Sequence, residues 1–359
     1  MLAALITSLG QDKLEIRDDV EAIGFGAGKV RVAIKATGLC HSDLSGMSGK
    51  IPGPTPMVLG HEGAGEVLEV GDGVTHVKPG DRVIVNWRPA CGKCAHCRRS
   101  ESNLCAAGSA AMRVPAFTSR GTELFRFMGA GTFAEEVVLD AGFAAPIPDD
   151  VSYEAAALIG CGVTTGIGAA INSAQVKPGE TVAVVGCGGV GISAVMGAKA
   201  AGAAQVIAID PVASRRKWAV DFGATAAVAP DDVKGAIDAY TGGLGFDHVI
   251  EAVGRPATVR SAYDAARQGG TVCLVGVGGF EDMVPVNLLE LFVSAKRIIP
   301  SVYGGDDVTR TYDRIINMLR AGRIDLEALV THRLPLSEVN DAIDLMRSGE
   351  ALRVMLTIS

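Results

Sequence analysis

The chain has 359 residues, 48% hydrophobic and 20% charged, a globular composition too long for one ordinary core, so two domains are expected. A net charge of −7 with no basic cluster argues against nucleic acid as a partner. No apolar run looks long enough to span a bilayer, so no membrane partner is expected either.

The opening run MLAALITSLGQDKLEIRDDV has neither a basic start nor a small-residue cleavage pattern. With eight cysteines in the chain, the expected compartment is the reducing cytoplasm. Up to about residue 160 the sequence reads as short strands bounded by Gly, Pro and Asp, at 30–38 (VRVAIKATG), 63–71 (GAGEVLEVG) and 81–87 (DRVIVNW). From about residue 165 strands and helices alternate: strand 181–186, helix 189–203, strand 205–210, helix 215–223 stopped by Gly223, strand 246–254, helix 257–267 and strand 271–279. Repeated βαβ units of this kind predict a parallel sheet with helices on both faces. Helices at 306–321 and 337–348 and the final strand RVMLTI are expected to return to the first domain. The expected division is therefore 1–162 with 303–359 for one domain and 163–302 for the other.

Cys91, Cys94, Cys97 and Cys105 lie in CGKCAHCRRSESNLC, a spacing that lets four thiolates close around one tetrahedral ion. Zinc is the expected occupant, as a structural site with no open position. An iron–sulfur run of the bacterial type has a shorter gap to its last cysteine, followed by proline, and disulfides belong to oxidising compartments.

Gly186-Cys187-Gly188-Gly189-Val190-Gly191 is a GxGxxG between a predicted strand and a predicted helix, the context that makes this motif a dinucleotide fingerprint. Gly186 permits the tight turn, Gly188 lets backbone approach a pyrophosphate, and Gly191 allows close helix packing. Asp210, at the end of the next strand, suits ribose hydroxyls and repels the extra phosphate of NADP, so NAD is expected. Arg215 and Arg216 nearby weigh in the other direction. His61 and Glu62 in GHEGAG, Cys40 in GLCHSD and Cys161 in LIGCGVTTG each have an ordinary reading singly, since buried cysteine is a common small hydrophobe. Together two cysteines and a histidine form the ligand set of a catalytic zinc with its fourth position open.

GLCHSD, GHEGAGEVLEVGDGV, the four-cysteine lobe, GCGVTTG, GCGGVG and SGEALRVMLTIS, in that order, resemble the zinc-dependent medium-chain alcohol dehydrogenase family over essentially the whole chain. The resemblance implies an α/β protein: a Rossmann doubly wound parallel-sheet coenzyme domain and a mainly β, GroES-like catalytic domain bearing a structural-zinc lobe. It implies two Zn2+ per subunit, NAD as coenzyme, a small alcohol or aldehyde as substrate, and a homodimer or homotetramer. Cys40, His61 and Cys161 would ligate the catalytic zinc, with Glu62 behind it as a transient ligand and Asp43 fixing the His61 tautomer. The lobe cysteines would hold the structural zinc.

The same likeness places His41 and Arg353 on the coenzyme pyrophosphate, Thr165 beside the nicotinamide, and Val275 and Val277 with Gly189, Val190 and Arg215 on the coenzyme. It puts Trp87 in the substrate pocket and makes Ser42 the first proton acceptor from the alcohol, in a catalytic set with Glu62 and His41. Many relatives carry histidine five residues after the first zinc cysteine. This chain has Ser45 there, so water is expected to make the last proton transfer. Cys187 and Cys273 are expected to be packing residues, and the run 117–133 to line or cover the substrate cleft. A rival substrate is a thiol adduct of formaldehyde, such as S-hydroxymethyl-glutathione or S-hydroxymethyl-mycothiol, because NWRPACGKC resembles thiol-adduct members equally well.

Overall fold

Val30, Val32 and Ile34 are buried while Lys29, Arg31 and Ala33 between them are only partly so, the period-two pattern of a strand with one face in the core. In a computed structural model, which describes residues 1–358, this strand, Lys29–Gly38, is the spine of a seven-stranded mixed sheet. Its neighbours are Glu62–Val70 on one side and Arg353–Thr357 on the other, with Glu136–Asp140 pairing along its first half. A second, six-stranded sheet includes Ala3–Ile6, Met57–Val58 and Thr122–Arg126. Phe117, Phe127, Phe133 and Phe143 fill the core they share with the first sheet. These strands, from Met1–Gly162 and Asp325–Ser359, make one unit, the expected mainly β, GroES-like architecture.

Val163–Ile324 makes the other unit. Its six strands are all parallel, in the order Ala226–Val228, Gln205–Ile209, Thr181–Val185, Phe246–Glu251, Ala266–Leu274, Arg297–Pro300. Counted along the chain this is 3-2-1-4-5-6, the doubly wound order whose reversal point beside the first strand binds dinucleotides. Ala183, Val185, Ile207, Ile209 and Val249 pack one face of the sheet against Ala236, Ala262 and Tyr263.

Two expectations are corrected. Residues 303–324 group with the parallel-sheet unit, so the return to the first unit begins at Asp325. The helix Val308–Arg320 buries Val308, Thr311, Tyr312, Ile315 and Ile316 and packs on the helix Thr164–Gly168. The Asn172 amide adds hydrogen bonds to the Gly304 carbonyl and the Thr311 hydroxyl. Second, the helical run Tyr153–Ser173 is by length and composition apolar enough to cross a membrane, with a mean hydropathy of 1.5 over its window. That window is 83% buried inside the protein, as core helices are, and glycines and small residues had masked its length in the sequence. The strand Ala226–Val228 and the helix Val233–Thr241 are not among the expected elements.

Candidate active site

Cys40 directly precedes the helix His41–Ser48 and has extended backbone angles. Asp43, third residue of that helix, turns its carboxylate back so that Oδ2 accepts the Cys40 N–H at 2.9 Å, which is half of a capping box. Its other oxygen lies 2.9 Å from His61 Nδ1. With Nδ1–H donating to a carboxylate 1% exposed, the lone pair of His61 is on Nε2, and that buried atom has no hydrogen-bond partner. Gly60 sets the imidazole: it has φ +86, and a Cβ there would meet Phe133 and Thr132 within 2.7 Å.

Cys161 arrives from the π-helical turn Ile159–Val163, a local widening common at functional sites. Cys40 Sγ, His61 Nε2, a Glu62 oxygen and Cys161 Sγ then all lie within 4.8 Å of one another, all buried. The hydrogen bond with Cys161 is the main cause holding Cys40 well below the ordinary thiol range, and the same bond raises Cys161 well above it. Burial opposes protonation of His61, but the Asp43 charge and hydrogen bond prevail and raise it. Two thiols, an imidazole lone pair without a donor and a carboxylate converging at one buried point fit a zinc ion with three protein ligands.

Glu62 is fully buried and its carboxyl is pushed up to about 7, first by desolvation and against the pull of Arg353. Arg353 forms an ion pair with it and is only 6% exposed. Its guanidinium is the counter-charge under the ligand cluster. Gly38 makes the room, since a Cβ there would sit 2.3 Å from Glu62 Oε2. Trp87 and Phe127 stand edge-on to the His61 ring, centroids 6.3 and 5.7 Å away. Trp87 is named for the substrate pocket, whereas Phe127 is covered only by the expectation for the run 117–133 as a whole. The run 117–133, expected to line or cover the cleft, forms the strands Phe117–Ser119 and Thr122–Arg126 and then the turn that delivers Phe127. Ser42 and Ser45 are half-buried and His41 is exposed, all on the helix that starts after Cys40.

The four lobe cysteines also converge within 4.8 Å, with Cys91–Cys97 sulfurs 3.9 Å and Cys94–Cys105 sulfurs 4.0 Å apart. A tetrahedron of thiolates at 2.3 Å from zinc has edges of about 3.8 Å. Backbone N–H groups of Cys94 and Cys97 each point at the sulfur three residues earlier, at 3.4 Å. Backbone hydrogen bonds, that of Lys93 foremost, lower Cys91 to about 6.

In the parallel-sheet unit Gly186 has φ +90, and a Cβ on Gly191 would lie 1.7 Å from the Gly186 carbonyl oxygen. A Cβ on Gly188 would meet nothing within 4 Å, so this turn presents bare backbone to open space at the start of the helix Gly189–Ala200, as anion binding requires. Val190 is half-buried on the first turn of that helix. The Asp210 carboxylate, 2% exposed, accepts the N–H groups of Cys187 and Val212, each at 2.8 Å. Arg216 donates to the Asp210 and Pro211 carbonyls at 2.8 and 2.9 Å, and Arg215 is half-buried beside it. Thr165 is half-buried in its helix, and Val275 and Val277 follow the strand Ala266–Leu274, Val277 being 78% exposed. Cys187 and Cys273 are fully buried, with both thiols pushed up to about 12 by burial.

Family models described as an alcohol dehydrogenase GroES-like domain and a zinc-binding dehydrogenase match residues 26–149 and 189–320. An S-(hydroxymethyl)glutathione dehydrogenase of Escherichia coli is 39% identical over 341 residues, 92% of each chain. Among solved structures, an alcohol dehydrogenase zinc-binding domain protein from Burkholderia ambifaria is 33% identical with a TM-score of 0.93, over 100% of this chain and 98% of its own. A benzyl alcohol dehydrogenase from Acinetobacter calcoaceticus is 29% identical with a TM-score of 0.92, over 100% and 99%.

The two clusters make separable predictions. Cys40→Ala should remove one zinc by elemental analysis and lower turnover at least about 10³-fold, with little change in melting temperature. Cys94→Ala should also remove one zinc, but with a clear drop in melting temperature, because structural zinc binding is folding free energy. Equal melting behaviour of two inactive variants would refute the division of roles.

Proposed function

The chain belongs to the zinc-dependent medium-chain alcohol dehydrogenase family, and from that premise we propose that it is an NAD-dependent alcohol dehydrogenase that interconverts an alcohol with its aldehyde or ketone. The observation that carries this reading is the buried Cys40–His61–Cys161 cluster with His61 Nε2 left unpartnered. Zinc bound there supplies Lewis acidity to a substrate oxygen, and a nicotinamide dinucleotide supplies the hydride acceptor. Asp43 keeps His61 in the tautomer with Nε2 free and holds the backbone of Cys40 in place. Glu62 would stand beside the three ligands as a further carboxylate, with Arg353 balancing its charge. Trp87 and Phe127 pack edge-on against His61 and hold its ring in place. Ser42 receives the alcohol proton, and His41, exposed on the same helix turn, offers an imidazole N–H for the coenzyme phosphates.

NAD over NADP is supported by the Asp210 carboxylate, which repels a 2′-phosphate. Of the two cations that could offset it, Arg216 is committed to two backbone carbonyls, while Arg215 lies half-buried beside it.

A second reading is favoured by a specific likeness: the curated relatives at 39% identity carry the name S-(hydroxymethyl)glutathione dehydrogenase. Reduced-coenzyme formation should therefore be followed with NAD+ and NADP+ across primary, secondary and aromatic alcohols, and with formaldehyde alone or mixed with glutathione or mycothiol. The leading reading requires turnover of free alcohols with NAD+. Turnover confined to formaldehyde plus thiol would replace it with the second, and silence across the panel would sink both.

Ser45 ends the proton route without an imidazole. Ser45→His should introduce an inflection near pH 6–7 into the pH dependence of alcohol oxidation, with faster turnover above it. An unaltered profile would show that the outer end of the route does not pass this position.

The subunits are proposed to pair as a homodimer through the parallel-sheet unit. Its edge strand Arg297–Pro300 is exposed, and the adjacent helix Leu288–Ser294 shows Leu288, Leu289 and Phe292 at 83, 70 and 83% exposure, an apolar surface of the kind monomers avoid. Phe292→Asp should halve the mass seen by size-exclusion light scattering; a wild-type monomer would overturn the pairing.

A further inference from the structure

Glu251 closes the strand Phe246–Glu251 and is fully buried. A buried carboxylate is tolerated only where donors surround it, and here they come from the backbone beyond it. Its side chain accepts the Val253 N–H at 3.0 Å, the Gly254 N–H at 2.9 Å and the Thr258 hydroxyl at 2.7 Å. Its main-chain carbonyl accepts the N–H groups of Val275 and Gly276, at 2.8 and 3.0 Å. One residue thus fixes both the turn after its own strand and the turn after the neighbouring strand Ala266–Leu274.

Those turns bear on the glycine loop. The Ala252 N–H donates to the Val185 carbonyl at 2.9 Å, and Val253 Cγ2 stands 2.5 Å from where a Cβ on Gly186 would be. Gly254 and Gly276 interlock so closely that a Cβ on Gly276 would fall 2.0 Å from the Gly254 nitrogen. All three turns leave the carboxyl ends of adjacent parallel strands, the end at which a doubly wound sheet receives its ligand.

We infer that Glu251 is a positioning residue for the dinucleotide: its carboxylate locks the 252–254 turn beside Gly186 while its main-chain carbonyl holds the 275–276 turn, so that the backbone facing the coenzyme is preformed. The inference rests on the nicotinamide reading above. A carboxylate can only accept, which forces the Val253 and Gly254 N–H groups and the Thr258 hydroxyl inward. Glutamine is nearly the same shape but sets an NH2 group among those donors.

Binding of NADH and NADPH is measured without turnover, by calorimetry on the zinc-loaded protein, below the melting temperature of every variant. Glu251→Gln should weaken NADH binding about tenfold or more, the scale of a charged buried hydrogen-bond set. The coenzyme KM should rise in parallel, while kcat at saturating coenzyme and the alcohol KM stay within about twofold. Thr258→Val removes one donor and should shift binding the same way by less; it also carries the test should Glu251→Gln fail to fold. Val249→Ala, a core truncation in the same strand, should lower the melting temperature without moving the coenzyme Kd. An unchanged Kd in Glu251→Gln and Thr258→Val, or an equal shift in Val249→Ala, would reduce Glu251 to a stabilising residue and overturn the inference. Wild-type protein that bound neither NADH nor NADPH would instead overturn the nicotinamide reading, and this inference with it.

Discussion

The Asp43 carboxylate is the contact on which the metal cluster depends. It is almost wholly buried, and its two oxygens are divided between the Cys40 N–H and His61 Nδ1. A short helix start is thereby coupled to a histidine eighteen residues later. The same carboxylate decides which imidazole nitrogen carries the proton, so one local capping interaction sets the chemical identity of a ligand. Metal-bound histidines generally rely on such a partner.

A second layer of charge lies beneath. Glu62 and Arg353 are both buried, and an ion pair so placed gains stability only if its geometry repays the loss of hydration. Gly38 and Gly162 crowd against the pair, and neither could carry a side chain without displacing it or pressing on it. The arrangement is best understood as serving the site: it keeps a carboxylate beside the ligands in a place where an unpaired one would simply take up a proton.

Much of this was legible in the residues because it is local. The lobe cysteines span fifteen positions, and the GxGxxG turn is steric necessity written in six. Gly191 must lack a side chain because the Gly186 carbonyl already fills the place. What escaped the sequence is what packing decides. Phe127 meets His61 only because a strand pair and a turn deliver it, and no spacing announces that. No motif announces that the Arg353 guanidinium is held by a carboxylate 291 positions away in the chain. Residues 303–324 looked like part of the return to the first unit because their helix is amphipathic. Amphipathicity states that a face is buried and leaves open against which neighbour.

The strand Arg353–Thr357 lies beside Lys29–Gly38 at the centre of the mixed sheet, and this has a consequence for the order of events during synthesis. All seven cysteine and histidine ligands of the two sites emerge from the ribosome well over a hundred residues before the sheet's inner strand and the cation that neutralises Glu62. The parallel-sheet unit, being continuous, can condense as it is translated. The metal-binding unit must wait, its buried acid uncompensated, until that unit has passed.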